Sequence, residues 1–242
     1  MSKSVTSSDV TALSFPFAKI LSRISVGIAL LIVAPVAAGE EFVDEFRSAE
    51  LEGRQAERGE WQFHNGVASC VADPVLYKQF KNHGPILKWL RELNDSTIEF
   101  EMKAENCGRV VFTLNGDGHI FRVTLADERP DAPAGKSKVP TRLIAWTTKS
   151  SKQNKGDSIK PERMPDLPAV NGKWVRMQLT VKGKRASLTI GDFRTEINHA
   201  ALARDKNMVL LTFAHGKLSV RKFRITSANN SVSKPDPVVD VP

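Results

Sequence analysis

The chain has 242 residues, 41% of them hydrophobic and 26% charged, with a formal charge of +8. That length fits one large β domain or two small ones. The basic excess suits an acidic partner, such as an anionic polysaccharide. The lack of a recognition helix, zinc spacing or aromatic stacking motif beside the bases speaks against nucleic acid.

Residues 1–38 read as a secretory signal peptide. Lys3, Lys19 and Arg23 make a positive start, residues 26–38 (VGIALLIVAPVAA) an apolar stretch, and cleavage is expected after Ala38. The apolar stretch is broken by Pro35 and falls short of the roughly 20 residues that span a bilayer. The mature protein is therefore expected to be exported, periplasmic or extracellular, with no membrane span. Cleavage removes three bases and one acid (Asp9), which takes the charge from +8 to +6.

Residues 42–46 form a short alternating strand and 48–59 a polar loop. Residues 60–63 and 67–72 pair as a hairpin across Asn65-Gly66, and 86–89 supply a fourth strand. The richest stretch is 97–125. Ile98, Phe100 and Met102 alternate with Glu99, Glu101 and Lys103; Val110, Phe112 and Leu114 follow; then Phe121, Val123 and Leu125 come after Asn115-Gly-Asp-Gly118. Period-2 runs with one greasy and one charged face predict an antiparallel sheet covered on one side only.

Residues 126–141 read as a loop, 143–148 as a strand and 149–173 as a second polar stretch. Lys136, Lys138, Arg142, Lys149, Lys152 and Lys155 concentrate the basic charge there, either for an anionic partner or simply as a solvated segment. Residues 174–181 and 185–190 form a hairpin, 193–197 a strand, and 199–206 one or two helical turns. Residues 209–213 and 218–226 close the domain. Leu218 and Val220 are out of phase with Phe223 and Ile225, which predicts a bulge near Arg221-Lys222. Residues 227–242 read as a disordered tail. Twelve or so strands with almost no helix give an all-β, two-sheet sandwich or barrel as one domain over 39–226.

Phe-x-Asp-x-Phe (42–46), Gly-x-Trp-x-Phe (59–63), Thr-Ile-Glu-Phe-Glu (97–101), Gly-Lys-Trp (172–174) and the closing Leu-Ser-Val-Arg-Lys-Phe-Arg-Ile (218–225) resemble, in that order, the concanavalin A-like jelly-roll sandwiches. Among these the chain is similar to secreted bacterial 3-keto-disaccharide hydrolase-like domains. The resemblance covers 42–226 and implies a carbohydrate-directed role on the concave sheet.

Glu99 and Glu101, two apart on a strand, project to one face roughly 6–7 Å apart. Such a pair can serve as acid and nucleophile in glycosidic cleavage, with Arg122 and His119 positioning substrate. Concanavalin A-like glucanases carry Glu-x-Asp-x-x-Glu; here the middle acid is Glu101 and the third, Glu105, comes one place late. The competing reading is a charge ladder, the two glutamates facing Arg109, Arg122 or Arg176. Trp146 is the candidate sugar-stacking aromatic. The histidines have no metal-ligand spacing, Asn115-Gly-Asp-Gly118 serves a turn as readily as an ion, and no cofactor fingerprint is present. Cys70 and Cys107 are either bridged or separate thiols. Three functions stay open: a saccharide-binding module, a glycoside hydrolase, and a cell-surface interaction module of undetermined oligomeric state.

Overall fold

A computed structural model describes residues 40–116, 118–126, 142–146, 158–159, 167–168 and 170–227. The expected signal peptide, the tail beyond 227 and most of the basic stretch from 127 to 166 lie outside these residues.

Alternation produces the first sheet. In β6 (Ser96–Glu105) every even-numbered residue is buried and every odd-numbered one half-exposed. β11 (Trp174–Lys182) and β12 (Arg185–Ile190) repeat that pattern in phase. With β13 (Phe193–Asn198), β15 (Lys217–Ser227), β4 (Val67–Val71) and β3 (Gln62–His64) they form an antiparallel sheet in the order β13-β12-β11-β6-β15-β4-β3. The free edge of β15 is shared. β4 pairs with its first half, from Lys217 to Arg221, while β1 (Glu40–Asp44) pairs with its second half, from Phe223 to Ser227. Between those halves the register against β6 slips from Arg221 to Arg224, and Lys222 takes φ 54°. This is the expected bulge, and it puts Arg221, Lys222 and Arg224 on the solvent side together.

The second sheet runs β10 (Ser158–Ile159), β9 (Arg142–Trp146), β8 (Gly118–Ala126), β7 (Arg109–Gly116), β14 (Lys206–Ala214), β5 (Ile86–Leu93), β2 (Arg54–Glu57). The stretch 97–125 therefore does not make one sheet: β6 lies in the first and the β7–β8 hairpin in the second. Periodicity cannot tell a hairpin neighbour from a strand that crosses over, and here Asn106 at φ 57° turns the chain across. Nor is β7 covered on one side only, since Val111 and Thr113 on its outer side are buried, as are Ile120 and Thr124 on β8.

Two hairpins close through paired left-handed residues, Asn65-Gly66 (φ 49° and 77°) and His215-Gly216 (φ 64° and 60°), the arrangement of a type I′ turn. At Gly216 a Cβ would come within 2.1 Å of the Glu105 carbonyl oxygen, so the turn there requires glycine. Several short elements depart from the sequence reading, β10 within the expected polar stretch 149–173 among them. β2 lies within the expected loop 48–59, because an edge strand such as Arg-Gln-Ala-Glu has no apolar alternation to display. Helix α1 (Pro74–Gln79) is started by Asp73, whose carboxylate accepts from Val75 and Leu76. The expected helical turns at 199–206 are a single 3₁₀ turn, Ala200–Ala203, capped by the His199 ring.

The core fills the space between the sheets. Trp89 of β5 stacks on Phe223 of β15 at 3.6 Å between centroids, and Phe100 and Phe112 continue the series from one sheet to the other. One buried ion pair ties the layers. Asp44, at the end of β1, accepts from Arg54 Nη1 at 2.8 Å, from Trp89 Nε1 at 2.8 Å and from the Phe46 amide at 2.9 Å. Arg54 also donates to the Ser48 carbonyl and lies 3.9 Å above the Phe63 ring. The Asp of Phe-x-Asp-x-Phe is thus a structural anchor.

Candidate functional site: the outer face of the first sheet

The outward residues of the first sheet fall into cross-strand rows, set by strands about 4.8 Å apart. One row reads Arg194, Thr189, Gln178, Glu99, Arg224; the next reads Arg176, Glu101, Arg221, Val67, His64; the third reads Trp174, Lys103, Ser219, Ser69, Gln62. The face is polar throughout except for Trp174, Val67 and the valines at its margins.

Glu99 and Glu101 both lie here, side by side as their spacing predicts. Arg176 reaches Glu99 at 2.6 Å, and Arg224 approaches its other oxygen at 3.9 Å. Arg221 donates to Glu101 at 2.6 Å and Lys222 at 2.8 Å. The hydrogen bond from Lys222, then the one from Arg221 with the attraction of both charges, holds the Glu101 carboxyl below the usual carboxylate range, against the opposing effect of burial. A carboxylate held ionised cannot serve as the proton donor of glycosidic cleavage at neutral pH. Glu99 and Glu101 stand in a cross-strand charge ladder, with Arg176 among its members. Arg109 and Arg122 have no part in it, because β7 and β8 belong to the other sheet.

Arg221 also lies over the Trp174 ring, 4.1 Å from guanidinium carbon to centroid. It spans β6 to do so, so one side chain contacts both Glu101 and the half-buried aromatic. Trp174 shares the polar phase of Arg176, Gln178 and Thr180; alternation along β11 was the signal that could have singled it out.

Where β15 changes neighbour from β4 to β1, the sheet edge opens into a groove of about 780 Å³. The Asn65-Gly66 turn, Glu45 and Arg47 form one wall, and Lys222 and Arg224 the other. Glu99 borders both the groove and the rows, so the two are continuous.

His119 and Arg122 lie on the outer side of the second sheet, across the sandwich from the glutamates. Arg122 Nη2 lies 3.0 Å from His119 Nε2, and His119 Nδ1 lies 2.6 Å from Asn115 Oδ1. A guanidinium only donates, so Nε2 accepts and Nδ1–H donates to Asn115. Burial, with the neighbouring Arg122 charge, pushes the imidazole down to about 4. Arg122 Nε also donates to Thr113 Oγ1 at 3.3 Å, and Arg204 to the His119 carbonyl at 3.2 Å. With sheets about 10 Å apart, these residues cannot position a substrate held at Glu99 and Glu101. Trp146 ends β9 in that same second sheet, opposite Ser158 in register; its side chain lies outside the described residues.

Cys70 and Cys107 are free, buried thiols. β15 runs between them: Leu218 pairs with Cys70 on one side and with Ala104, three residues before Cys107, on the other. Two strand spacings of about 4.8 Å separate Cys70 from Ala104, more than the Cα separation of about 7 Å that a disulfide tolerates. Burial pushes each thiol up to about 12. Among the described residues no group of His, Cys, Asp or Glu could hold a metal ion, and no helix is long and apolar enough to cross a membrane.

The architecture is that of the concanavalin A-like jelly-roll sandwiches. A glycosidic hydrolase superposes with a TM-score of 0.53 over 81% of this chain and 99% of its own, at 10% identity. The Bacillus licheniformis β-glucanase gives 0.52 over 78% and 98%, at 11% identity. LamAcat from Zobellia galactanivorans gives 0.52 over 79% and 98%, also at 11%. At such identities the likeness is one of fold. No protein-family model and no curated protein sequence matches the chain.

Proposed function

We propose that this chain is an exported saccharide-binding domain that holds its ligand on the outer face of the first sheet, from Trp174 to the groove beside Lys222. The observation that carries this reading is the fixed polar layer around Trp174. Arg221 clamps both Glu101 and the indole, and Arg176 clamps Glu99, so charged acceptors and donors stand beside an aromatic surface. Sugars need that combination: an apolar ring face and a few hydrogen-bonding groups fixed in place before binding. The fold's likeness to glycosidic hydrolases and a β-glucanase supports a carbohydrate ligand. The apolar stretch at 26–38 supports export.

Binding fits the glutamates better than hydrolysis of a glycosidic bond, whether in a plain or a 3-keto disaccharide. Both carboxylates are engaged by cations, and a raised carboxyl pKa, which the acid of such a pair requires, is the opposite of the shift at Glu101. Calorimetric titration of the chain from residue 39 with a panel of neutral and acidic oligosaccharides tests this. Saccharide binding that Trp174→Ala weakens supports the proposal. New reducing ends that appear with wild type and vanish with Glu101→Gln would replace it with hydrolysis, and no binding at millimolar saccharide would end it.

A further inference from the structure

We infer that the saccharide is acidic, carrying carboxylate or sulfate groups that dock along the β11–β13 side of this same face; the inference rests on the saccharide-binding reading above. Five acidic side chains point outward from the first sheet: Glu41, Glu99, Glu101, Glu105 and Glu196. The first four are ion-paired with five bases, namely Lys103, Arg176, Arg221, Lys222 and Arg224. Four further bases on the face, Lys182, Arg185, Arg194 and Lys217, have no carboxylate partner among the described residues. Nine bases against five acids leave this face with four positive charges, half the +8 of the whole chain.

The placement of the unpaired bases is what points to a ligand. Lys182 and Arg185 are directly opposite one another at the end of the β11–β12 hairpin, with Lys184 in the turn between them. Like charges facing across strands oppose sheet pairing, and neither base forms an ion pair with a carboxylate among the described residues. Asp95 is the acid nearest the turn, and its carboxylate accepts instead from the Gly183 backbone N–H at 2.7 Å. Beside the pair, Thr180, Ser187 and Asn198 line a shallow depression of about 390 Å³. Glu196 borders it as well and lies opposite Ser187, so an anion would sit toward Lys182 and Arg185. Arg194 stands in the row that leads through Gln178 to Glu99. An acidic polymer crossing from this depression to the groove would meet unpaired cations at its start and the clamped Lys222 and Arg224 at its end. The arrangement offers fixed positive charge beside hydroxyl and amide groups, which suits a chain rich in both anions and hydroxyls.

Polygalacturonate and a neutral β-glucan, each titrated into the chain from residue 39 at 20 mM and 300 mM salt, distinguish the possibilities. Vesicles of anionic phospholipid serve as a third probe. Tighter binding of polygalacturonate than of the glucan, falling with salt, is expected. Lys182→Gln and Arg185→Gln should each weaken it about two- to fivefold, while raising the unfolding midpoint of the free protein by about 1 °C as the like-charge pair is relieved. A purely structural role for these bases cannot weaken ligand binding while stabilising the protein. Equal, salt-independent binding of both polysaccharides overturns the acidic assignment and leaves the saccharide reading standing. Binding of neither polysaccharide, or of vesicles alone, overturns both.

Discussion

Replacing Asp44 by alanine should cost this sandwich a large part of its stability. The carboxylate is 1% exposed and takes two bonds from Arg54, at 2.8 and 3.0 Å, one from Trp89 and one from the Phe46 amide. Without it, Arg54 keeps the Ser48 carbonyl and the Phe63 ring, but its charge is left unpaired where its side chain is 1% exposed. Breaking a buried pair on one side costs about 3–5 kcal/mol. The orphaned indole N–H contributes about 1 kcal/mol or more, not fully additive with the first effect. A loss of about 4 kcal/mol is thus expected, against a total of about 5–15 kcal/mol for a typical domain. The double variant Asp44→Val with Arg54→Met should lose less than Asp44→Ala alone, because no buried charge remains without a partner. Urea unfolding followed by tryptophan fluorescence, with the slope unchanged between variants, measures both. A loss under about 1 kcal/mol for Asp44→Ala, or a double variant that loses the sum of its singles, would refute the reasoning.

Glu101 has a depressed folded-state pKa, so its contribution is present above the unfolded carboxylate value of about 4.3 and is lost as pH falls through the lower folded value. Glu101→Gln should therefore flatten the acid limb of the stability profile below about pH 4.3; an unchanged limb would show that the Lys222 and Arg221 bonds do not hold in solution. His119, pushed down to about 4, should stay neutral at pH 5.5, with Nδ1 carrying the proton. A titration midpoint above 6 in its nitrogen resonances would contradict that environment. The thiols should resist alkylation in the native protein, and unreduced protein should gain two alkyl groups once unfolded. Failure to gain them on unfolding would mean that the bridge exists after all.

Strand positions in the first sheet were readable because one face of each strand is greasy and the other wet, so Glu99, Glu101 and Arg176 could be placed on one side from spacing alone. The bulge at Arg221-Lys222 was readable as a break in that phase. Which strands are neighbours was not. The pairing of β6 with β11 and β15 is made by residues 70 or more apart in sequence, and periodicity carries no trace of it. Arg221, Lys222 and Arg224 therefore carry no sequence mark as partners of the glutamates, and nothing in the pattern separates His119 and Arg122 from acids that lie across the sandwich. The groove was equally hidden, since it exists only because β1 and β4 share one edge of β15. Trp174 stood in the polar phase of β11, so the sequence already marked it as the aromatic of the outer face.

Mapping backbone amide and indole shifts while an oligosaccharide is titrated tests the central claim most directly. The largest changes are expected at the Trp174 indole, Gln178, Glu101 and Lys222, with an affinity that Trp174→Ala lowers about five- to tenfold. Shifts confined to the outer side of the second sheet, around His119, Arg122 and Thr113, would contradict it.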